Sequence, residues 1–552
     1  MSPGNARTPP RIALTRVALT AGAWLLAACG GGGSSSPPPS PPPPVNTLPP
    51  TSQSSTFSAN CNGAPQSGSL YVNAEVEPYV VVNPSNPANV VGAWQQDRWS
   101  NGGAQGLMTG ASFDGGHTWT LARTPFSRCT GGNATTGGDF ERASDPWLAV
   151  SPDGTLYAMG LTFDVGLLAP NSSNAMLVAR SIDGGLTWSA PTTLILDGPN
   201  FGNDKGSITA DPADAHYVYA VWDRISAAQD GPAYFARTVD GGATWEPARS
   251  IFDPGASSQT LGNIIAVLPG GALIDLFTQI DVAASGAASA SLRVIRSGDH
   301  GDTWSAPVTI ADLLAIGARD PETGTAIRDG SDLAAIATDA AGTLYVVWQD
   351  ARFSGGARDG IALSRSIDGG ATWSAATQVN AVPGTQAFTP AVNVRSDGVI
   401  GVSYYDFRNN TTSAATLPTD LWLATSTDAV TFTERHVVGS FDMEVAPNAG
   451  GLFLGDYQGL ASDGNSFLPF FAMTNNTIAN RTDIFIVLRS VTASAASRSI
   501  NTAPRPPAAG FVVTPEWRLR AHDAIVRAME RRIPHWHQLM GANGVAGEPA
   551  SP

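Results

Sequence analysis

Four segments of the sequence close an apolar run with an aromatic residue, an aspartate and an arginine. They are "WQQDRWS" (Asp97, Arg98), "VWDRIS" (Asp223, Arg224), "VWQDARFS" (Asp350, Arg352) and "YYDFRNN" (Asp406, Arg408). Four others place charged or phenolic groups just ahead of an apolar run: "FERASDPW" (Glu141, Arg142, Asp145), "GNDKGS" (Asp204, Lys205), "DGSDLA" (Asp329, Asp332) and "LGDYQGL" (Asp456, Tyr457). A guanidinium presents a planar fork that pairs bidentately with a carboxylate. Carboxyl pairs can serve as proton donor and as nucleophile or base in splitting an acetal. A motif written four times also has a plainer reading, an ion pair that ties neighbouring repeat units together. Arg142 stands outside that repeat, which singles it out among the arginines. Tyr457 reads equally as a core tyrosine with a bonded hydroxyl.

A second repeat says which elements would hold these groups. It runs "SFDGGHTW" (112–119), "SIDGGLTW" (181–188), "TVDGGATW" (238–245), "SGDHGDTW" (297–304) and "SIDGGATW" (366–373), with a shortened copy "STDAVTF" (426–432). The tryptophans recur every 57 to 69 residues. Each copy makes sense as a hairpin turn, with Asp accepting from nearby backbone N–H groups and Gly supplying positive φ. One carboxylate per turn is too few for a calcium cage. Short runs rich in Val, Ile, Tyr and Trp flank each turn and read as strands. The pattern is three strands, the turn, then a fourth strand. Units of this kind begin near Tyr79, Trp147, Ser207, Ile264, Leu333, Ala391 and Gly455, making seven, with six as the alternative. Four-stranded units repeated radially predict an all-β fold, a β-propeller. The seventh unit lacks the turn and a clear fourth strand, which "GSLYVNAEV" (68–76) is expected to supply.

The turns resemble the Asp-boxes of the sialidase superfamily, S-x-D-x-G-x-T-W, over residues 68 to 490. The resemblance implies a propeller with its ligand site on the face opposite the turns, near the central channel. It implies a glycan or glycoconjugate as partner and an exo-glycoside hydrolase acting on an acidic sugar. A non-catalytic glycan- or protein-binding propeller and an envelope scaffold are the alternatives. The family grips a carboxylate with arginines, for which Arg98, Arg142, Arg224, Arg352 and Arg408 are the candidates. Tyr457 is the position most like the family's nucleophile, with Asp456 beside it. Asp145, Asp204 and Asp332 are candidates for the acid, Asp145 above the others. The chain departs from the family where the first blade begins, which reads "NAEVEPYVVV", with Glu75 and Glu77 in place of Arg-Ile-Pro. The sole Arg-Ile-Pro, Arg532 to Pro534, falls in the tail and reads as coincidence.

The 552 residues include 59 Gly and 41 Pro, a load that favours turns over helices. The net charge of −15 argues against nucleic acid as a partner. H-E-x-x-H, Walker and G-x-S-x-G patterns are absent, and no metal or cofactor is expected. Arg7, Arg11 and Arg16 precede the apolar "VALTAGAWLLAA" and then "LAAC", ending at Cys29. This resembles a bacterial lipoprotein signal (1–28) with Cys29 as the lipidated residue. Such a chain is exported to the cell envelope, at the outer membrane, and meets the membrane through its lipid only. Residues 29–55 are a Gly/Ser/Pro-rich tether, 56–498 the propeller, and 499–552 a linker, a basic helix and a tail. An exported compartment permits a Cys61–Cys129 disulfide, with two buried thiols as the alternative. The helix is capped by Thr514, starts at Pro515 and carries an apolar stripe of Trp517, Ala521, Ala524, Ile525 and Ala528. It is expected to dock on the acidic propeller, or to bind a protein partner or anionic lipid.

Overall fold

The run "VYAVW" (218–222) has no polar residue in it, unlike a strand with one wet face. Val218, Tyr219, Ala220, Val221 and Trp222 are all fully buried. Such a run needs apolar neighbours on both faces of its sheet. In the structure, a computed structural model, residues 48–226, 230–488 and 512–532 are described. The signal, Cys29, most of the tether and the tail beyond residue 532 lie outside the described residues.

The third unit shows the plan. Phe201–Ala210, Val218–Ser226, Ala233–Thr238 and Arg249–Phe252 pair antiparallel in that order. The described residues build six such four-stranded units and one of three strands, Gly459–Ser462, Phe467–Thr477 and Asn480–Ile486. The first two units share one sheet through the single pairing of Ala104 with Ala143. The innermost strands are Val76–Val82, Arg142–Val150, Phe201–Ala210, Ser258–Val267, Ala334–Thr338, Ala387–Val394 and Gly459–Ser462. Each touches the next, and the last touches the first, so the ring closes as a β-propeller.

Blade-to-blade packing holds the ring. Tyr157, Met159 and Phe163 of the second blade pack on Ile208, Val218 and Trp222 of the third. At the seam, Val80, Trp94 and Met108 of the first blade meet Phe470 and Phe471 of the seventh. A Cβ at Gly92 would lie 2.3 Å from the Phe470 ring, so only glycine allows the approach. The N-terminal segment closes the seventh blade with the end of the expected stretch, at Ala74 and Glu75, and with residues ahead of it. Leu70–Tyr71 pairs with Trp99 and Arg98 of the first blade instead. The free edge of the seventh blade meets Ala74, paired with Thr482, and Thr51 and Ser52, whose N–H groups donate to the Ile484 carbonyl. Cys61 and Cys129 form a disulfide, with Cα atoms 4.8 Å apart.

The repeated turns join third to fourth strands and saturate their own aspartates. Asp183 Oδ1 accepts from Ser181 Oγ (2.7 Å), Leu186 N (3.1 Å) and Thr187 N (3.0 Å), while Oδ2 accepts from Thr187 Oγ1. Gly184 and Gly185 take φ of 75° and 94°, which only glycine adopts cheaply. Trp188 Nε1 donates to Thr109 Oγ1 of the preceding blade at 2.9 Å, so this turn also ties two blades together. The shortened copy keeps the geometry, with Asp428 Oδ1 accepting from Val430 N and Thr431 N.

The C-terminal helix runs Pro515–Arg532, and Thr514 Oγ1 accepts from Trp517 N at 3.2 Å. It buries Trp517, Ala521, Ala524, Ile525, Ala528, Met529 and Arg532. It lies on the propeller face opposite the repeated turns. There Trp517 Nε1 donates to Leu314 O, Arg527 Nη2 to Ile316 O, and Ala288 N to His522 Nδ1. No helix among the described residues is long and apolar enough to cross a membrane.

Candidate functional site

Each inner strand begins on the helix-covered face, and most carry a bulge near that end. Register slips between Val76 and Tyr79, Ser144 and Trp147, Asp204 and Ser207, Leu261 and Ile264, and Phe388 and Ala391. The bulged residue takes left-handed backbone: Glu77 (φ 54°), Asp145 (54°), Lys205 (45°), Gly262 (67°) and Thr389 (49°), with Gly330 (61°) at the matching place in the fifth blade. A non-glycine residue pays roughly 1–2 kcal/mol for that conformation. Glycine serves in two blades, whereas Glu77, Asp145 and Lys205 carry the strain and converge. Strain kept where charge is gathered is a feature of functional sites.

Lys205 is the hub. Its Nζ lies 2.7 Å from Asp456 Oδ2, 3.3 Å from Asp145 Oδ1 and 3.7 Å from Glu77 Oε1. Arg328 grips Asp456 bidentately, with Nε 2.9 Å from Oδ1 and Nη2 on Oδ2. Arg328 and Arg98 lie over the Phe453 ring, at 4.4 and 5.0 Å. Arg98 Nη1 donates to Gln95 Oε1, and Gln95 Nε2 donates to Glu77 and Ser144. Glu77 is wholly buried, and Asp145, Lys205 and Asp456 expose less than a tenth of their surface.

Burial penalises charge, and the neighbours decide which carboxyl escapes that penalty. For Asp456, burial pushes up, but Arg328 and Lys205 outweigh it and hold the carboxyl well below its usual range. For Asp145, burial wins over Lys205, and Glu77 adds to it, so its affinity for a proton is raised. Burial depresses Lys205, yet Asp145, Asp456 and Glu77 hold it firmly protonated.

Tyr457 lines the channel below this cluster. Its hydroxyl donates to Pro146 O at 3.1 Å, and Trp147 meets it edge-on at 5.2 Å. Tyr79 stacks on Trp147 at 4.0 Å. Burial and the charges of Glu77, Asp145 and Asp456 push the phenol well above its usual range. Glu77, read from sequence as a departure from the family, is thus in Tyr457's field. It does not hydrogen-bond the hydroxyl, and the phenol is kept protonated rather than activated as a nucleophile.

The structure brings Asp145, Asp456, Tyr457 and Arg98 together and leaves the other arginines apart. Arg142 donates to Gln66, Asn101, Gly102 O and Ser67 O, away from Lys205. Arg224 is forked onto Asp197 and lies 3.6 Å over Phe201. Arg352 pairs with Asp350, and Arg408 with Asp406 and Glu434. Arg224 follows the plainer reading, since Asp197 belongs to the second blade, whereas Arg352 and Arg408 pair within their own blades, and among the described residues the five arginines assemble no carboxylate clamp. Asp204 accepts from Arg532 Nε at 2.7 Å, and Asp223 from Arg532 Nη2. Asp332 adds to the field at Arg532.

Arg328 and Arg532 were missed from sequence. Arg532 had a signal: it sits four residues after Ala528, on the apolar stripe itself. A cation on a buried stripe requires a buried anion. The inner-strand bulges had one too, in "VEPYVVV", "SDPWLAV" and "FTPAVNV", where a proline follows the bulged residue. Arg328 had none that we find.

Below the cluster runs a channel of about 480 Å³, with Tyr79, Trp147, Lys205, Ile264, Asp456 and Tyr457 among its walls. It extends to Val82, Val150, Val394 and Ser462 at the far ends of the inner strands, on the side of the repeated turns. No group of three or more metal-ligating side chains occurs among the described residues.

No family model matches this sequence, and no curated protein matches it. Among solved structures, a Dyadobacter fermentans protein of unknown function is similar at 16% identity, over 75% of this chain and 93% of that one, with a TM-score of 0.42. The Hadza microbial sialidase Hz136 is similar at 15% identity over 73% and 74%, TM-score 0.40. A Penicillium chrysogenum α-L-arabinanase complexed with arabinobiose is similar at 16% identity over 60% and 88%, TM-score 0.41. These overlays are loose, and the propeller architecture stands on the sheet order and ring closure of this chain.

Proposed function

We propose that the protein is an exported, lipid-anchored propeller that binds a glycan at the head of its channel and hydrolyses a glycosidic bond there. The observation that carries this is a pair of carboxyls on one ammonium whose proton affinities are pushed apart. Asp145 is the group to hold a proton and give it to the leaving oxygen as the glycosidic bond breaks; water then bonds the ring carbon and returns its proton to Asp145. Asp456, kept ionised, is the group to stabilise positive charge developing on the sugar ring. Opposed carboxyl environments of this kind mark acid and base in glycoside hydrolysis. Lys205 holds both in place, and the strained bulges keep Glu77, Asp145 and Lys205 directed at one point. Tyr457 serves as part of an aromatic wall with Trp147 and Tyr79. The Cys61–Cys129 bridge suits an oxidising, exported compartment, and Cys29 is the lipid attachment point in this reading.

A second reading, a glycan-binding propeller without turnover, is favoured by the burial of the cluster beneath the C-terminal helix. The two separate in one assay. The full chain is incubated with a panel of neutral and acidic oligosaccharides, and both binding and new reducing ends are measured. Binding with release supports hydrolysis. Binding without release supports the second reading, and neither sinks both. Globomycin sensitivity of processing at Cys29 tests the anchor.

A further inference from the structure

The helix-covered face is closed over the charged cluster. Arg532 is buried between Asp204 and Asp223, Trp517 is fully buried, and Ile525 and Met529 are part of the core. Lys205 and Asp456 nevertheless line the channel, together with Tyr457. Among the described residues, the channel leads to them from the face of the repeated turns.

Three features of the channel specify what it takes. Its volume of about 480 Å³ is within the range of small-molecule sites. Its inner end has an aromatic platform, Tyr79 stacked on Trp147 with Tyr457 edge-on. It also holds two unmet acceptors. Asn263 is fully buried and Gln458 is 4% exposed, both line the channel, and Asn263 Oδ1 and Gln458 Oε1 accept no hydrogen bond among the described residues. The Gln458 amide is oriented by its Nε2, which donates to Thr389 O at 2.7 Å. A buried acceptor left unmet costs about 1–3 kcal/mol, and a ligand O–H recovers it when the amide turns its oxygen to the channel.

Charge settles the class further. The Lys205 ammonium is already enclosed by Asp145, Asp456 and Glu77, and Arg328 is committed to Asp456 through Nε and Nη2 and to Ala449 O through Nη1. A ligand carboxylate would find no uncommitted cation on the channel wall and would meet Asp456. An apolar ring face with outward hydroxyls fits both platform and acceptors.

We propose that the channel is the ligand seat, entered from the face of the repeated turns, and that it takes the terminal ring of a neutral glycan rather than an acidic sugar. This rests on the glycan-directed reading and deepens it. It reverses the face and the sugar charge that the sequence resemblance implies.

The test is calorimetric binding of a neutral and a sialylated oligosaccharide set to the full chain and to three variants. Ile264→Trp narrows the channel, Gln458→Leu removes an acceptor without adding bulk, and Arg532→Ala loosens the helix-covered face. The expected result is neutral-sugar binding by the native chain, lost in Ile264→Trp, weakened about tenfold in Gln458→Leu, and within twofold in Arg532→Ala. Gln458→Leu decides if Ile264→Trp fails to fold. Native-strength binding in the two channel variants, or tighter binding in Arg532→Ala alone, overturns the channel as seat while the glycan-directed reading stands. Preference for the sialylated set overturns the neutral class. No binding by the native chain removes the glycan-directed reading and the channel proposal with it.

Discussion

Arg532 Nε lies 2.7 Å from Asp204 Oδ2, and the same guanidinium also bonds Asp223. This pairing fastens the last turn of the C-terminal helix to the third blade, at the edge of the charged cluster. Burial raises Asp223 to about 7 even with Arg532 beside it. Arg532→Ala leaves two buried carboxyls without their cation. Loss of one partner of a buried ion pair typically costs about 3–5 kcal/mol. The expected result in urea unfolding is a loss of this order at pH 8 and a smaller loss at pH 5, where the abandoned carboxyls take up protons. Hydrogen exchange should show the helix amides losing protection first.

Asp359 gives a pH dependence with a definite sign. It is buried, accepts from Ile316 N (3.0 Å) and Gly317 N (2.9 Å), and is pushed up to about 7 by burial and by neighbouring Asp329. An unfolded aspartate titrates near 4. Between those values the folded chain holds a proton that the unfolded chain has released, so rising pH favours unfolding. Asp359 thus contributes a loss of stability as pH climbs from about 4 to about 7. Asp359→Asn should flatten this part of the stability profile, measured as urea midpoints at pH 5 and pH 8. An unchanged slope contradicts the assignment.

How much of this was legible in the sequence depended on whether a residue's role repeats. The turns were legible because the same hydrogen bonds recur in each copy, and Asp183 and Asp428 make them in the structure. The blade pattern followed from those turns. The aromatic, Asp, Arg segments repeat too, but their pairing does not: Asp350–Arg352 and Asp406–Arg408 pair locally, while Arg224 reaches Asp197 and Arg98 bonds Gln95. The cluster is asymmetric, so it had no period to betray it. Asp145, Asp456, Tyr457 and Arg98 were named singly, but their convergence on Lys205 needs the ring to close. Arg328 and Arg532 come from segments far apart in the chain, and only the fold brings them to Asp456 and Asp204. The stretch expected to complete the seventh blade, 68–76, does so only at its end, where Ala74 pairs with Thr482 and Glu75 N donates to Thr482 O. Leu70–Tyr71 finds a partner within the first blade before the chain reaches the seventh.

The turns themselves should be metal-free staples. Asp183 already accepts from Ser181, Leu186 and Thr187, and those hydrogen bonds hold its carboxyl below the usual range despite partial burial. Asp183→Ala should lower stability by about 1 kcal/mol, the net worth of such bonds. The contribution of Asp183 is present at neutral pH and is lost as pH falls through its lowered pKa. Chelation with EDTA should leave the melting temperature unchanged. A chelator-induced drop contradicts the staple.

Cys61 and Cys129 are 68 residues apart in sequence, so their bond constrains a long loop of the unfolded chain. Loop-closure entropy for a loop of this length puts the effect at about 4 kcal/mol. Cys129→Ser should lower the urea midpoint accordingly, and reduction of the native chain should do the same. Equal midpoints with and without reductant contradict a formed disulfide.

The central claim is that Asp145 and Asp456 divide the work of splitting a glycosidic bond. The measurement that tests it most directly is turnover of unactivated oligosaccharides, beside fluorogenic glycosides with activated leaving groups, by the full chain, Asp145→Asn and Asp456→Asn, each with substrate binding measured alongside. The expected result is release by the native chain and a fall of at least about a hundredfold in kcat for Asp145→Asn. Asp145→Asn should keep its binding and regain turnover on substrates with an activated leaving group, which need no acid. Release that survives intact in Asp145→Asn on unactivated substrates, or no release from any glycoside that the native chain binds, contradicts the claim.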